Sequence, residues 1–170
     1  NRQFSIYDET DSQTLIKEIV NQEMRLDPKR FDPKKIKWAI SNAKNQCLTP
    51  NQLEENSENH FDKVIADAYR KYRISLSKNN ALDFDDLLLL PVFLLKQNQQ
   101  IREYWHKRFK HILIDEYQDT NRTQYELIKL ITTGNTSPEI FLNWNNRSIF
   151  VVGDADQSIY SFRAADFRIL

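Results

Sequence analysis

Apolar side chains recur at helical spacing through the first half of the chain. Leu15, Ile16, Ile19 and Val20 share one face behind Asp8 to Ser12, polar residues able to close a helix start. Asp32-Pro33 supplies an N-cap followed by a proline at the first helical position, where the missing N–H has no intrahelical partner to lose. Ile36, Ala39, Ile40 and Ala43 then follow on one stripe. Thr49-Pro50-Asn51-Gln52 reads as a capping box that opens a shorter helix, and Phe61, Val64, Ile65, Ala68, Tyr69 and Tyr72 mark a long one. Helices in succession with no strand between them predict a small helical domain over residues 1–80, closed by a hinge at Lys78-Asn79-Asn80.

The pattern then changes. Asp83 caps a helix carrying Leu87 to Leu90, bent or stepped near Pro91, and Ile101 to Phe109 forms another. His111 to Ile114 is a short, largely β-branched run that releases Asp115 and Glu116 at its carboxyl end. About thirty residues on, Ser148 to Val152 repeats the arrangement and opens into Gly153 and Asp154. Between them, Thr120 or Asn121 caps a helix with Tyr125, Leu127, Ile128, Leu130 and Ile131 partly inward and Gly134 as its stop. Two apolar runs separated by a helix predict buried, adjacent parallel strands of an α/β sheet, with ligands bound outside their carboxyl ends. The polar connection 135–147, which carries Pro138, Phe141 and Trp144, is longer than usual for such units and reads as a surface insertion.

Composition narrows the class. Among 170 residues, 40% are hydrophobic and 28% charged, as in globular proteins rather than disordered or membrane ones. The apolar run Leu87 to Leu95 is far too short to span a bilayer. A lone Cys47 excludes an internal disulfide and a Cys-rich metal site, and it fits a reducing compartment. His60, His106 and His111 share no metal-ligand spacing, so zinc is not expected. Lys plus Arg and Asp plus Glu are 24 each, so a phosphate-binding surface would have to come from local clusters. Lys29-Arg30, Lys34-Lys35-Lys37 and His106-Lys107-Arg108-Lys110 are the candidates.

The acid pair carries the candidate chemistry. Mg²⁺ beside substrate phosphates usually takes one or two protein carboxylates and keeps several waters, so Asp115 suffices as a direct or water-bridged ligand. Glu116 could then take a proton from an attacking water. A phosphate-cradling GxxxxGK[ST] loop is absent, because Gly134 and Gly153 are the chain's two glycines. The expectation is therefore an internal piece of a larger enzyme.

Asp115-Glu116-Tyr117-Gln118-Asp119-Thr120, followed by the run from Val151-Val152-Gly153-Asp154 to Ala165-Asp166, resembles motifs II and III of superfamily 1 UvrD/Rep/PcrA-type DNA helicases. FSIYDETDSQ, FDKVIADAYRKY and ALDFDDLL extend the resemblance over most of the chain. It implies a helix-rich α/β fold: a helical accessory subdomain (1B-like) over 1–80, then part of a RecA-like P-loop motor domain (1A-like) over 81–170, with the Walker A part absent. It implies ATP as substrate, Mg²⁺ as cofactor, and single-stranded DNA with a duplex junction as partners. Hydrolysis would drive translocation and unwinding in DNA repair or replication, in the cytoplasm at the nucleoid and away from any membrane.

Residue by residue, the same resemblance implies that Asp115 holds Mg²⁺, Glu116 activates the lytic water and Gln157 senses the γ-phosphate. Tyr160, Phe162 and Arg163 match positions that touch the DNA strand, and Phe84 matches another aromatic on its path. Stacking of a base on such a ring is worth roughly 1–3 kcal/mol whatever the base. Gln118 and Asp119 would organise the turn after motif II, and Asp154 and Asp156 would form the turn of motif III. Two departures stand out: Phe162 replaces a frequent Trp, and Arg163-Ala164-Ala165 replaces Arg-Gly-Ala. Without the phosphate cradle the isolated chain should hydrolyse no ATP. The rival readings are the motor of a helicase-nuclease and a non-catalytic DNA- or protein-binding module with a decayed motor fold; intact Asp115, Glu116 and Gln157 argue against decay.

Overall fold

Polar side chains close the helix starts where the sequence offers them. Asp8 accepts the N–H of Asp11 at 2.8 Å and Asp11 accepts that of Asp8 at 3.2 Å, opening α1 (Glu9–Glu18), which runs on into a π-helical turn at Ile19–Glu23. Asp32 accepts the N–H of Lys34 at 2.9 Å ahead of α2 (Pro33–Asn45), Thr49 and Gln52 form the box before α3 (Pro50–Glu55), and Asn59 opens α4 (His60–Lys78). The computed structural model describes residues 3–133 and 147–154. The chain divides into two compact units, Asn1–Leu87 and Leu88–Leu170.

In the first unit the apolar stripes of α1, α2 and α4 meet. Ile16, Ile19, Val20, Ile36, Ile40, Tyr69 and Tyr72 form the centre of one core, and the Phe31 and Phe61 rings stack against each other at 5.8 Å. Two short strands join this unit: β1 (Ser5–Tyr7) and β2 (Ala81–Asp83) pair in parallel, Ser5 opposite Ala81. Lys78-Asn79-Asn80, where the sequence predicts a hinge, is a turn tied to the start of the chain. Asn80 stands at φ 49°, its amide donates to the Gln3 carbonyl, the Ser5 N–H reaches the Asn80 carbonyl at 3.0 Å, and Asn79 donates to the Tyr7 hydroxyl at 3.1 Å. These ties keep β2 with the helices, which is why the first unit extends past residue 80.

α5 (Asp86–Gln97) continues through Pro91, and α6 (Gln99–Arg108) starts at Asn98, which accepts the N–H of Ile101 at 3.0 Å. In the second unit β3 (His111–Ile114) pairs in parallel with β4 (Ser148–Val151), in register from His111 opposite Ser148 to Ile114 opposite Val151. α7 (Arg122–Thr133) opens on a reciprocal pair, Asn121 and Gln124 each accepting the other's N–H at 2.9 Å. Tyr125, Leu127, Ile128, Leu130 and Ile131 are half-buried along it. Arg147 donates to the carbonyls of His106 and Phe109, the latter at 3.0 Å, and so fastens the entry of β4 to the end of α6.

The strands lie in the expected order and direction, but they are not buried. Leu113 is 72% exposed and Phe150 62%, with Ile149, Val151 and Val152 also exposed. A parallel sheet is buried when layers cover both of its faces; among the described residues this sheet has two strands, and these side chains stay uncovered. Among the described residues the fold is a helix-rich α/β arrangement with two small parallel sheets. No described helix is long and apolar enough to cross a membrane.

Candidate functional site

Because β3 and β4 run parallel and in register, Asp115 and Gly153 leave the sheet at the same end. The ladder continues past the strands: the Val152 N–H reaches the Ile114 carbonyl at 2.8 Å, and the Tyr117 N–H reaches the Val152 carbonyl at 3.0 Å. Between these two bonds the chain must turn within Asp115-Glu116, and Glu116 does so in the left-handed region, φ 51° and ψ 41°. A single 3-10 turn, Tyr117–Asp119, follows and is closed by Asp119 N–H to Glu116 O at 2.9 Å and Thr120 N–H to Tyr117 O at 3.0 Å. Asp115 accepts the Glu116 N–H on Oδ1 at 2.9 Å. The bonds around Glu116 hold it in a conformation that costs a non-glycine residue about 1–2 kcal/mol. Both carboxylates emerge exposed at the rim.

They face a cleft of about 330 Å³ lined by Ile114, Asp115, Glu116, Asp119, Thr120, Gln124, Leu127 and Ile128. Asp119 contributes more than a turn: its Oδ1 is buried and has no hydrogen-bond partner. A buried carboxylate oxygen without a protein partner can be met by water or by an ion. Oxygen donors from one or two acids, beside open space for waters and phosphate oxygens, fit the way Mg²⁺ is usually held. Among the described residues no three His, Cys, Asp or Glu side chains enclose a metal, so an ion here would rest on few carboxylates plus water and substrate oxygens.

The two strand exits are locked together by Gln118. Its Oε1 accepts the Asp154 N–H at 3.0 Å, and the side chain lies across Gly153, where a Cβ would come within 2.9 Å of Oε1 and 3.2 Å of the Gln118 N and Tyr117 Cβ. Gly153 thus leaves room for the close approach of the two segments. The sequence assigned Gln118 to a local turn; its larger task is to join motif II to motif III.

Asp115 and Glu116 come together as expected. Phe84 stands in the first unit, on the turn between β2 and α5, 61% exposed. Gln157, Tyr160, Phe162 and Arg163, with Asp156, Gly134, Phe141 and Trp144, lie outside the described residues.

One charged cluster escaped the sequence reading. Lys44 is fully buried, its Nζ 2.7 Å from Asp83 Oδ2 and 2.8 Å from Asp86 Oδ1, with the Tyr72 ring centroid at 5.2 Å. The Tyr72 hydroxyl donates to Asp83 Oδ2 at 3.0 Å, and Ser41 donates to Asp85 Oδ2 at 2.7 Å. Burial raises the pKa of all three acids, yet Asp83 ends below the ordinary value because Lys44, the Asp86 N–H and Tyr72 together outweigh it. In Asp86 and Asp85 burial prevails and the pKa rises, against Lys44 and Ser41 respectively. Burial also pushes the Tyr69 and Tyr72 hydroxyls up. A clue was present in the sequence: Lys44 continues the stripe of Ile36 and Ile40 at the next helical turn.

Comparison with known proteins places a family on this geometry. The model of the UvrD/REP helicase N-terminal domain matches residues 1–170. The ATP-dependent DNA helicase PcrA of Bacillus subtilis (strain 168) is 42% identical over 166 residues, covering 98% of this chain and 21% of the relative. The ATP-dependent DNA helicase Rep of Buchnera aphidicola subsp. Schizaphis graminum is 42% identical over 165 residues, 97% of this chain and 23% of the relative. PcrA of Staphylococcus aureus (strain Mu50 / ATCC 700699) is 38% identical over 167 residues. The chain thus spans about a fifth of the length of the curated relatives it matches, 21% to 23%.

Proposed function

Since the chain belongs to the UvrD/REP helicase family, we propose that it forms part of a longer ATP-dependent DNA helicase that couples hydrolysis to movement on single-stranded DNA and to duplex unwinding. The supporting observation is the common rim of β3 and β4, where Asp115 and Glu116 stand exposed over one cleft. In this reading the second unit is part of a RecA-like motor domain, motif II acts as its Walker B element, and the first unit is a helical accessory subdomain. The protein works in the cytoplasm at the nucleoid, in DNA repair or replication.

Asp115 would hold Mg²⁺ at the rim, where Asp119 also lines the cleft. Bound there, Mg²⁺ supplies charge neutralisation to the phosphate oxygens. Glu116, whose side chain is exposed, would accept a proton from water. Gln157 would report the γ-phosphate, and Phe84, Tyr160, Phe162 and Arg163 would hold the strand. The acid pair Asp115 and Glu116, intact and exposed at the rim, supports the motor over the decayed alternative.

The longer protein should unwind a tailed DNA duplex with Mg-ATP. Equal unwinding with a non-hydrolysable analogue, or after Mg²⁺ is chelated, would contradict the proposal. The isolated chain, which has no GxxxxGK[ST] segment, should release no phosphate; DNA-stimulated, Glu116-dependent release by it would overturn that expectation.

A further inference from the structure

We propose that Lys44 is a positioning residue for DNA contact: from inside the first unit it sets the turn that presents Phe84 to a base. The inference rests on the reading of Phe84 as a stacking residue given under Proposed function.

Four consecutive residues, Asp83 to Asp86, divide by direction. Asp83 and Asp86 are drawn onto the buried ammonium of Lys44 at 2.7 and 2.8 Å, and Asp85 is drawn onto the Ser41 hydroxyl at 2.7 Å. All three ties end on one face of α2, since Ser41 and Lys44 stand three positions apart. Phe84 is the residue of the four left outside, 61% exposed. The turn is also closed on itself, Asp83 Oδ1 accepting the Asp86 N–H at 2.9 Å and Phe84 O accepting the Leu87 N–H at 3.2 Å.

An exposed ring on a loose turn would lose conformational freedom each time a base stacked on it. A ring whose neighbours are fixed on three sides has surrendered that freedom on folding, so more of the stacking energy appears as affinity. A packing role alone does not explain why the anchors bracket a single exposed aromatic. Lys44 cannot itself touch phosphate, because its side chain is 0% exposed.

The test is anisotropy of a labelled oligothymidylate bound to the longer protein, well below the melting temperature, for Phe84→Ala, Lys44→Met, Ser41→Ala and the double variants with Phe84→Ala. Phe84→Ala should weaken binding roughly fivefold or more, the lower range for one stacked base. Lys44→Met and Ser41→Ala should each weaken it by a severalfold factor that vanishes in the Phe84→Ala background, while the salt dependence keeps its slope. Losses that persist undiminished in that background overturn the inference. So does a slope shallower by about one, which would make Lys44 a phosphate contact.

Lys44→Met leaves two buried carboxylates unpaired and can fail to fold. Ser41→Ala keeps the ion cluster and frees only Asp85, so unchanged affinity in that variant, together with an unchanged resonance from a fluorine label on Phe84, also overturns the inference. A Phe84→Ala protein that binds normally refutes instead the stacking role of Phe84.

Discussion

Replacing Glu116 by glycine should make the protein more stable while removing its proposed chemistry. Glu116 occupies φ 51° and ψ 41°, where a side-chain-bearing residue carries about 1–2 kcal/mol of backbone cost. Glycine relieves that cost but returns about 0.4–1 kcal/mol to the unfolded chain as added freedom. The side chain is exposed and makes no hydrogen bond or ion pair among the described residues, so little else is lost. The net expectation is a gain of roughly 0.5–1 kcal/mol, or about 1–4 °C in melting temperature for a chain of this size. Urea unfolding of Glu116→Gly beside Glu116→Ala is the assay, since alanine removes the carboxylate without relieving the backbone. A glycine variant no more stable than the alanine variant would refute the reasoning, because the strain would then not be there to release.

Gly153→Ala should destabilise the chain by about 1–3 kcal/mol, since the new Cβ meets Gln118 Oε1 at 2.9 Å. Pairing it with Gln118→Ala should recover part of the loss in a double-mutant cycle, and strictly additive losses would show that the two segments do not press on each other. The acid cluster makes a signed pH prediction. Asp83, held below its ordinary 3.8, contributes stability that is complete above that value and is lost as pH falls through its depressed folded pKa. Asp86, raised above 3.8, carries a buried-charge cost at neutral pH that eases as pH falls through its raised value. Urea unfolding from about pH 7 to about pH 3 should therefore show a shallower acid limb in Asp83→Asn and lose the Asp86 share of any mild-acid gain in Asp86→Asn; an unchanged acid limb in Asp83→Asn would contradict the assignment. Glu126, where Lys96 at 2.8 Å and Arg122 at 3.3 Å outweigh burial and lower the pKa, should likewise lose its share of stability only as pH falls below the ordinary glutamate range. Glu126→Gln removes that share, which comparison of the two unfolding curves measures.

Much of this architecture is legible in the sequence because it is local. Asp8, Asp32, Thr49, Asn59 and Asn121 lie within three residues of the N–H groups they satisfy, and the helix stripes repeat every few residues. The order and direction of β3 and β4 follow from two apolar runs flanking a helix. β1 and β2 were not legible, since three residues are too few to show an alternation and the partners lie at opposite ends of the first unit. The exposure of the second sheet is not legible, because an apolar run states what should be covered and not whether a layer covers it. The acid pair was legible as chemistry, whereas the left-handed Glu116 was not, because glutamate gives no hint of a positive φ. Gln118 across Gly153 and Lys44 between Asp83 and Asp86 depend on contacts more than thirty residues apart in sequence, although a lysine on an apolar stripe was there to be noticed.

The central claim is that the rim shared by β3 and β4 carries out metal-assisted hydrolysis, with Glu116 as the proton acceptor. Phosphate release by the longer protein, measured with single-stranded DNA and saturating Mg-ATP for unaltered Glu116 and for Glu116→Gln, tests it most directly. The account predicts that nucleotide binding survives in the glutamine variant while release falls by about two to four orders of magnitude, the usual contribution of a positioned base. Release within severalfold of the unaltered protein, with nucleotide still bound, would contradict it.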